Sequence, residues 1–308
     1  MNAIERLLRE RILVLDGPMG TMIQAHRPGI EGPPDLLNIS QPDLIQDIHK
    51  QYLDAGADII ETNTFNSNAI SMSGRGTAPP VYELNLAAAK IARIAADQAA
   101  SAALDKPRFV AGAVGPTNRN PSNPVPFEAL TAAYYEQTRG LMDGGVDLLM
   151  AETVVDTTNA KAALFAFDQY FREAGRRVPV MVSLTITQEG CTLAGETLEA
   201  FWKAISGATL LSVGINCGFG ARHMKPYIEK VSGIANVYIS CHPNAGLPNS
   251  SGGYDEKPQQ SAAILRDFAA HGWLNIAGGC CGMTPQHIAA IAQSMHGLKP
   301  RVPFRNGL

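Results

Sequence analysis

The sequence predicts an α/β chain folded as one (β/α)8 barrel, on three observations. Eight short Val-, Ile- and Leu-rich runs recur along 308 residues, each followed by a turn and a segment with 3.6-residue periodicity. The runs are apolar at consecutive positions, as in strands buried on both faces under helices. No G-x-G-x-x-G follows the first run, which disfavours a doubly wound dinucleotide-binding sheet, the competing architecture.

In chain order, 3–10 is an amphipathic helix that closes the barrel floor. The strands are placed at Ile12–Leu15, Asp58–Ile60, Phe109–Ala113, Asp147–Met150, Val180–Leu184, Leu210–Ile215, Val237–Ser240 and Leu274–Ala277. Helices are expected near 41–55, 80–104, 127–144, 157–174, 197–206, 221–233, 257–271 and 285–296. Ser40 with Pro42, Asp156, and Thr284 with Pro285 open three of them, while Gly56, Gly145 and Gly175 close three. The barrel is assigned to residues 1–298, and 299–308 reads as a turn-like tail or a linker cut short.

Composition narrows the function. Hydrophobic residues make up 45% of the chain, enough for a large core, and 25 basic against 28 acidic residues leave −3 with no long run of either sign. Nucleic acid and anionic membrane surfaces are therefore not expected as partners. Neither a signal-peptide pattern nor an 18-residue apolar stretch occurs, so a cytoplasmic location is expected. The 5 cysteines are too few for a disulfide scaffold, which favours metal binding or catalysis.

Barrel chemistry sits where strands end. Those eight positions hold Asp16-Gly17-Pro18-Met19-Gly20-Thr21, Glu61-Thr62-Asn63-Thr64-Phe65-Asn66, Gly115-Pro116-Thr117-Asn118, Glu152-Thr153, Thr185-Ile186-Thr187, Asn216-Cys217-Gly218, Cys241-His242-Pro243-Asn244 and Gly278-Gly279-Cys280-Cys281-Gly282. No lysine is among them, so Schiff-base chemistry has no candidate. Cys217, Cys280 and Cys281 gather at one mouth, and two adjacent cysteines reach one ion only on an irregular turn, for which Gly278, Gly279 and Gly282 supply backbone freedom. Three thiolates and an open fourth position describe a catalytic Zn2+ that takes up an incoming thiol, so these cysteines are the predicted metal ligands and catalytic residues. A vicinal disulfide, or plain packing, is the competing reading. Cys191 and Cys241 read as small loop residues, and His242 as a brace for the turn after it.

The remaining candidates are substrate-facing: Asp16, Gly17, Met19, Glu61, Glu152 and Asn216. With a thiolate already supplied, Asp16 and Glu152 are better used to pair with an ammonium group than as general base. Backbone N–H groups of the Gly17–Thr21 loop suit a carboxylate. A substrate carrying thiol, ammonium and carboxylate fits all three.

The segments LDGPMGTMIQ, ETNTFNSN, AGAVGPTNR, AETVVDTTNAKAA, GINCG, HPNAGLPN with GGYDEKP, and NIAGGCCGMTPQHIAA carry a resemblance over about residues 10–297. They resemble the homocysteine-binding barrel of cobalamin-dependent methionine synthase, within the zinc-dependent homocysteine S-methyltransferase family. The resemblance implies L-homocysteine as substrate, Cys217, Cys280 and Cys281 as zinc ligands, and Asp16 and Glu152 beside the amino group. Methylcobalamin is then expected as methyl donor, presented by another module or protein, since no cobalamin-ligating D-x-H-x-x-G is found here. S-methylmethionine or a betaine is the alternative donor, and a non-catalytic zinc or thiol carrier the alternative function. Three departures stand out: Pro18 replaces a usual Gly or Ala and removes one N–H; the stretch Arg119–Pro126 is short; and the further modules of the large synthases are lacking, as in an excised module or a stand-alone subunit.

Overall fold

The computed structural model describes residues 2–29, 32–73, 80–103, 106–117 and 125–304, so Asn118, most of the Arg119–Pro126 stretch and the last four residues of the tail lie outside it. Eight parallel strands form the barrel: β1 (Leu13–Val14), β2 (Ile59–Glu61), β3 (Phe109–Val114), β4 (Leu148–Val154), β5 (Val180–Leu184), β6 (Ser212–Gly220), β7 (Tyr238–Asn244) and β8 (Ile276–Ala277). They pair in the order β1-β8-β7-β6-β5-β4-β3-β2. A single Leu15–Ile59 bridge between the first and last strands of that order brings the ring nearly to closure. This seam is thin. Asp58 reinforces it, accepting the Val14 N–H at 2.9 Å and pairing with both terminal nitrogens of Arg11 at 2.7 and 2.8 Å.

The helices are α1 (Ala3–Glu10), α2 (Met19–His26), α3 (Leu37–Ser40), α4 (Pro42–Asp54), α5 (Ala69–Met72), α6 (Val81–Ala102), α7 (Phe127–Asp143), α8 (Thr157–Ala174), α9 (Leu198–Ile205), α10 (Ala221–Ile234), α11 (Pro258–Ala270) and α12 (Pro285–Met295). As expected, α1 plugs the floor: Ile4 and Leu8 pack with Leu13, Ile59, Leu148, Met150 and Met181 inside the barrel. A second, larger apolar layer lies between strands and outer helices. None of the described helices is long and apolar enough to cross a membrane.

The helix signals held where side chain and backbone agree. Asp156 accepts the Asn159 N–H at 2.7 Å, and Gly56, Gly145 and Gly175 take φ of 106°, 92° and 62° just past their helices. Ser40 does not open α4. It belongs to α3, its hydroxyl donates to the Leu36 carbonyl at 3.2 Å, and Gln41 is the N-cap. Helices α2, α3 and α5 were not foreseen: α3 and α5, at four residues each, are too short to show periodicity, and α2 starts inside the stretch read as the Gly17–Thr21 loop. Conversely, β1 and β8 are shorter than expected, while β4, β6 and β7 run on to Val154, Gly220 and Asn244.

One buried group on α4 makes stability depend on acid. His49 is wholly buried, neither ring nitrogen has a hydrogen-bond partner, and burial lowers its pKa to about 3. From pH 6.5 down towards that value the unfolded chain takes a proton the folded chain refuses, so stability is lost as pH falls, by up to about 1.4 kcal/mol per pH unit. His49→Leu is expected to shrink the drop in urea midpoint between pH 7 and pH 5. An unchanged drop would mean that His49 titrates in the folded protein.

Candidate metal and substrate site

The three predicted thiols meet. The sulfurs of Cys217, Cys280 and Cys281 lie within 4.8 Å of one another, and Cys217 Sγ is 3.9 Å from Cys281 Sγ. Ligands at 2.3 Å around a tetrahedral ion stand about 3.8 Å apart, whereas a disulfide needs about 2.05 Å. All five cysteines are free, and the spacing fits an ion. The neighbouring Cys217 and Cys280 thiols favour the ionised form of Cys281 and hold it well below the usual thiol range, as a metal-binding sulfur requires.

The local backbone explains how adjacent cysteines converge. The turn after β8 is tied to β7: the Cys280 N–H donates to the Pro243 carbonyl at 2.8 Å and the Ala245 N–H to the Cys281 carbonyl at 2.9 Å. Only Gly282 of its three glycines has a left-handed φ, 80°, and there the Tyr254 ring packs against its Cα. Gly278 and Gly279 serve contact instead, since a Cβ would come 2.7 Å from Leu15 and 2.5 Å from Met283. The expected freedom therefore applies to one glycine of three. Cys217 was read as a strand terminus, but β6 continues to Gly220 and Cys217 sits inside a register shift with φ 58°.

The other cysteines stand apart. Cys241 is no loop residue: it lies in β7, fully buried, with its thiol 3.9 Å from Met224 Sδ. Cys191 is in the hairpin beyond β5, bridged to Thr197. His242 also lies in β7 and is buried, its Nε2 has no partner, and burial lowers its pKa to about 3, so it enters the cavity wall as a neutral ring.

Beside the thiols is a cluster of carboxyls without a cation. Glu61 ends β2 and Glu152 lies in β4, close enough that the charge of Glu152 adds to burial in raising the Glu61 carboxyl. Burial pushes Glu152 up to about 8, helped by the negative charge on Cys281, and raises Glu61 and Asp16 as well. One Asp16 oxygen accepts the Glu61 N–H at 3.1 Å, and the other, buried, has no partner. Among the described residues no lysine or arginine lines the cavity to balance these carboxyls.

Gly17 is required by contact: a Cβ would lie 2.8 Å from the Tyr52 hydroxyl, which donates to the Pro18 and Met283 carbonyls at 3.2 and 3.3 Å. Pro18 is the N-cap of α2, with no side-chain cap. The Met19, Gly20 and Thr21 N–H groups therefore form an open helix N-terminus at the cavity, the arrangement that attracts an anion. Asn216 is wholly buried and bonded to neighbouring protein groups rather than lining the cavity.

The thiols, Glu61, Glu152 and the helix terminus share one cavity of about 710 Å³, while Asp16 lies buried behind its wall, bonded to the Glu61 N–H. Asn63 and Phe65, from the strand-end segment after β2, line it as expected, whereas Gln24, Asp35 and Tyr254 were not anticipated in its wall. The loop after β2 is held rigid by side chains from elsewhere, with Asn38, Gln137 and Asn85 donating to the Asn63, Thr64 and Ser67 carbonyls, each at 2.7 Å. The ETNTFNSN motif is the visible trace of this wall. Tyr254, in the GGYDEKP motif, stands in the cavity wall beside the cysteines, where burial and their negative charge raise its hydroxyl to about 12.

Fold and site together define a barrel able to hold a metal ion on three cysteine sulfurs next to an acidic subsite. The chain belongs to the homocysteine S-methyltransferase family, whose sequence profile matches residues 13–295, and it is thereby a member of a family of methyltransferases. Its fold is similar to that of the homocysteine methyltransferase MmuM from Escherichia coli. The metallated form of that protein is 23% identical, with 95% of this chain and 99% of that one covered at a TM-score of 0.79. The apo form is 24% identical over 94% and 97% at a TM-score of 0.73. A ribulose-1,5-bisphosphate carboxylase/oxygenase from Pyrococcus horikoshii shares the barrel more distantly, at 12% identity and a TM-score of 0.55, covering 96% of this chain and 61% of that one.

Proposed function

We propose that the chain is a zinc-dependent homocysteine S-methyltransferase of the methionine-synthase type, taking its methyl from methylcobalamin carried by another module or protein. The observation that carries this reading is the triad of subsites in one cavity: three convergent thiols, cation-less buried carboxyls and a free helix N-terminus. Cys217, Cys280 and Cys281 would hold the zinc, which when bound keeps the substrate sulfur as a thiolate nucleophilic near neutral pH. Glu152, Glu61 and Asp16 take the ammonium, and the Met19 and Gly20 N–H groups the carboxylate. Phe65 and the neutral His242 exclude water from the sulfur. The thiol gives its proton to solvent, the thiolate's electron pair forms the sulfur–methyl bond, and the methyl–donor bond breaks with its electron pair left on the donor. The chain contributes position and charge.

One observation favours a second donor. A cavity of about 710 Å³ exceeds what one amino acid fills, so a small donor such as S-methylmethionine or a betaine could lie beside homocysteine. Methionine formation from homocysteine, assayed with each of the three donors alongside metal content, decides. The methylcobalamin reading expects turnover with that donor alone. Turnover with S-methylmethionine or a betaine would replace the donor, and stoichiometric metal without turnover under any donor would make the chain a carrier.

Homocysteine binding should release about one proton from the thiol near neutral pH, plus a fraction from Glu152 that declines as pH rises through 8. Calorimetry in buffers of different ionisation enthalpy counts it. Heat independent of buffer would mean that the thiol does not arrive as a thiolate.

A further inference from the structure

Among the described residues only two that are not glycine have a left-handed backbone, Thr153 at φ 52° and Cys217 at φ 58°. Each occupies one of the two register shifts of the barrel, between Ala151 and Val154 on β4 and between Asn216 and Gly220 on β6. A β-branched residue rarely adopts this conformation and keeps it only where its surroundings over-determine it. Here the over-determining group is one side chain. Asn216 Oδ1 accepts the Thr153 N–H at 3.0 Å, and Asn216 Nδ2 donates to Thr153 Oγ1 at 2.7 Å. The same amide accepts from Ser183 Oγ at 2.6 Å on β5 and lies 3.9 Å from Cys280 Sγ beyond β8.

This reciprocal pair has a metal ligand on one side and an acidic residue on the other. Glu152 directly precedes Thr153, and Cys217 directly follows Asn216. A rotation at either bulge would therefore change the span between carboxyls and thiols. An amino thiol that reaches both is measured by that span, so the number of methylenes between its ammonium carbon and its sulfur decides whether both ends engage.

We propose that Thr153 and Asn216 are positioning residues that set the separation of the thiol cluster from the Glu61–Glu152 carboxyls, and so select homocysteine over the one-methylene-shorter cysteine. The proposal rests on the reading of the cavity as a homocysteine site. It differs from the expectation that Asn216 contacts substrate: the amide acts through its neighbours.

The test uses the zinc-loaded full chain and reads dissociation constants for homocysteine and cysteine by calorimetry, with zinc content alongside. Thr153→Val removes only the Oγ1 acceptor; Thr153→Gly also removes it and tolerates the left-handed φ, which guards against misfolding. Thr153→Ser restores the acceptor. The preference for homocysteine is expected to fall about 10-fold or more in the Val and Gly variants, the scale of one methylene, and to stay within about 2-fold of wild type in the Ser variant, with zinc retained throughout. An unchanged preference in both would overturn the positioning role alone. Loss of zinc in both would overturn it too, since the pair would then serve the metal centre only. A wild-type chain that binds neither thiol would overturn the homocysteine reading and this inference with it.

Discussion

Cys281→Ala is expected to leave the protein folded and nearly free of metal. Each of the three clustered thiols supplies one ligand, and two sulfurs with an open site do not replace a three-thiolate set. Cys217→Ala and Cys280→Ala should behave alike. Cys191→Ala and Cys241→Ala should keep full metal, because neither thiol belongs to the cluster. Atomic absorption on protein purified under reducing conditions reads the outcome, and full occupancy in Cys217→Ala would remove it from the ligand set. The buried strands and helices, not the ion, hold this fold, so chelation should spare its circular dichroism, in contrast to a zinc finger. Unfolding on chelation would contradict that.

Glu152→Gln is expected to weaken homocysteine binding by about 1.5–3 kcal/mol, roughly 10- to 150-fold, with metal content intact, as a charge-assisted hydrogen bond becomes a neutral one. Near neutral pH Glu152 is largely protonated in the free protein, because burial raises it to about 8; an arriving ammonium reverses that preference and draws out the ionised form. Mercaptoethanol, which has no ammonium, should lose little. Equal losses for both thiols would move Glu152 from recognition to chemistry or fold support. Unchanged homocysteine affinity would take it out of the site.

The convergence of the three thiols was legible because its signal is chemical: adjacent cysteines between glycines stood out at one strand end, and a third cysteine followed an apolar run two strands away. The carboxyl cluster was legible only as a set of candidates. That Glu152 comes close enough for its charge to raise Glu61 depends on how the nearly closed sheet brings β2 and β4 to one mouth, a long-range fact no spacing reports. The bulges were not legible at all. A left-handed φ usually advertises itself through glycine or asparagine, and here it falls on a threonine and a cysteine held by hydrogen bonds from distant strands. Tyr254 was hidden for a related reason: it sits in a motif that could be read, but its direction was set by contact with Gly282.

The thin seam gives metal binding a mechanical side. β1 and β8 pair through two residues each, and one bridge joins β1 to β2, so local opening should begin there, in the segment that also carries Asp16 and leads into Cys280. An ion shared by Cys217 on β6 and the two cysteines beyond β8 spans β7 and clamps the chain next to that joint. Amide hydrogens of Leu13, Leu15 and Gly278 should then exchange more slowly in loaded protein than in stripped protein. Because linkage is reciprocal, whatever loosens the joint also lowers affinity for the ion. Replacing Asp58, which braces the joint just before β2 and is no part of the thiol cluster, would be felt at the metal as weaker binding.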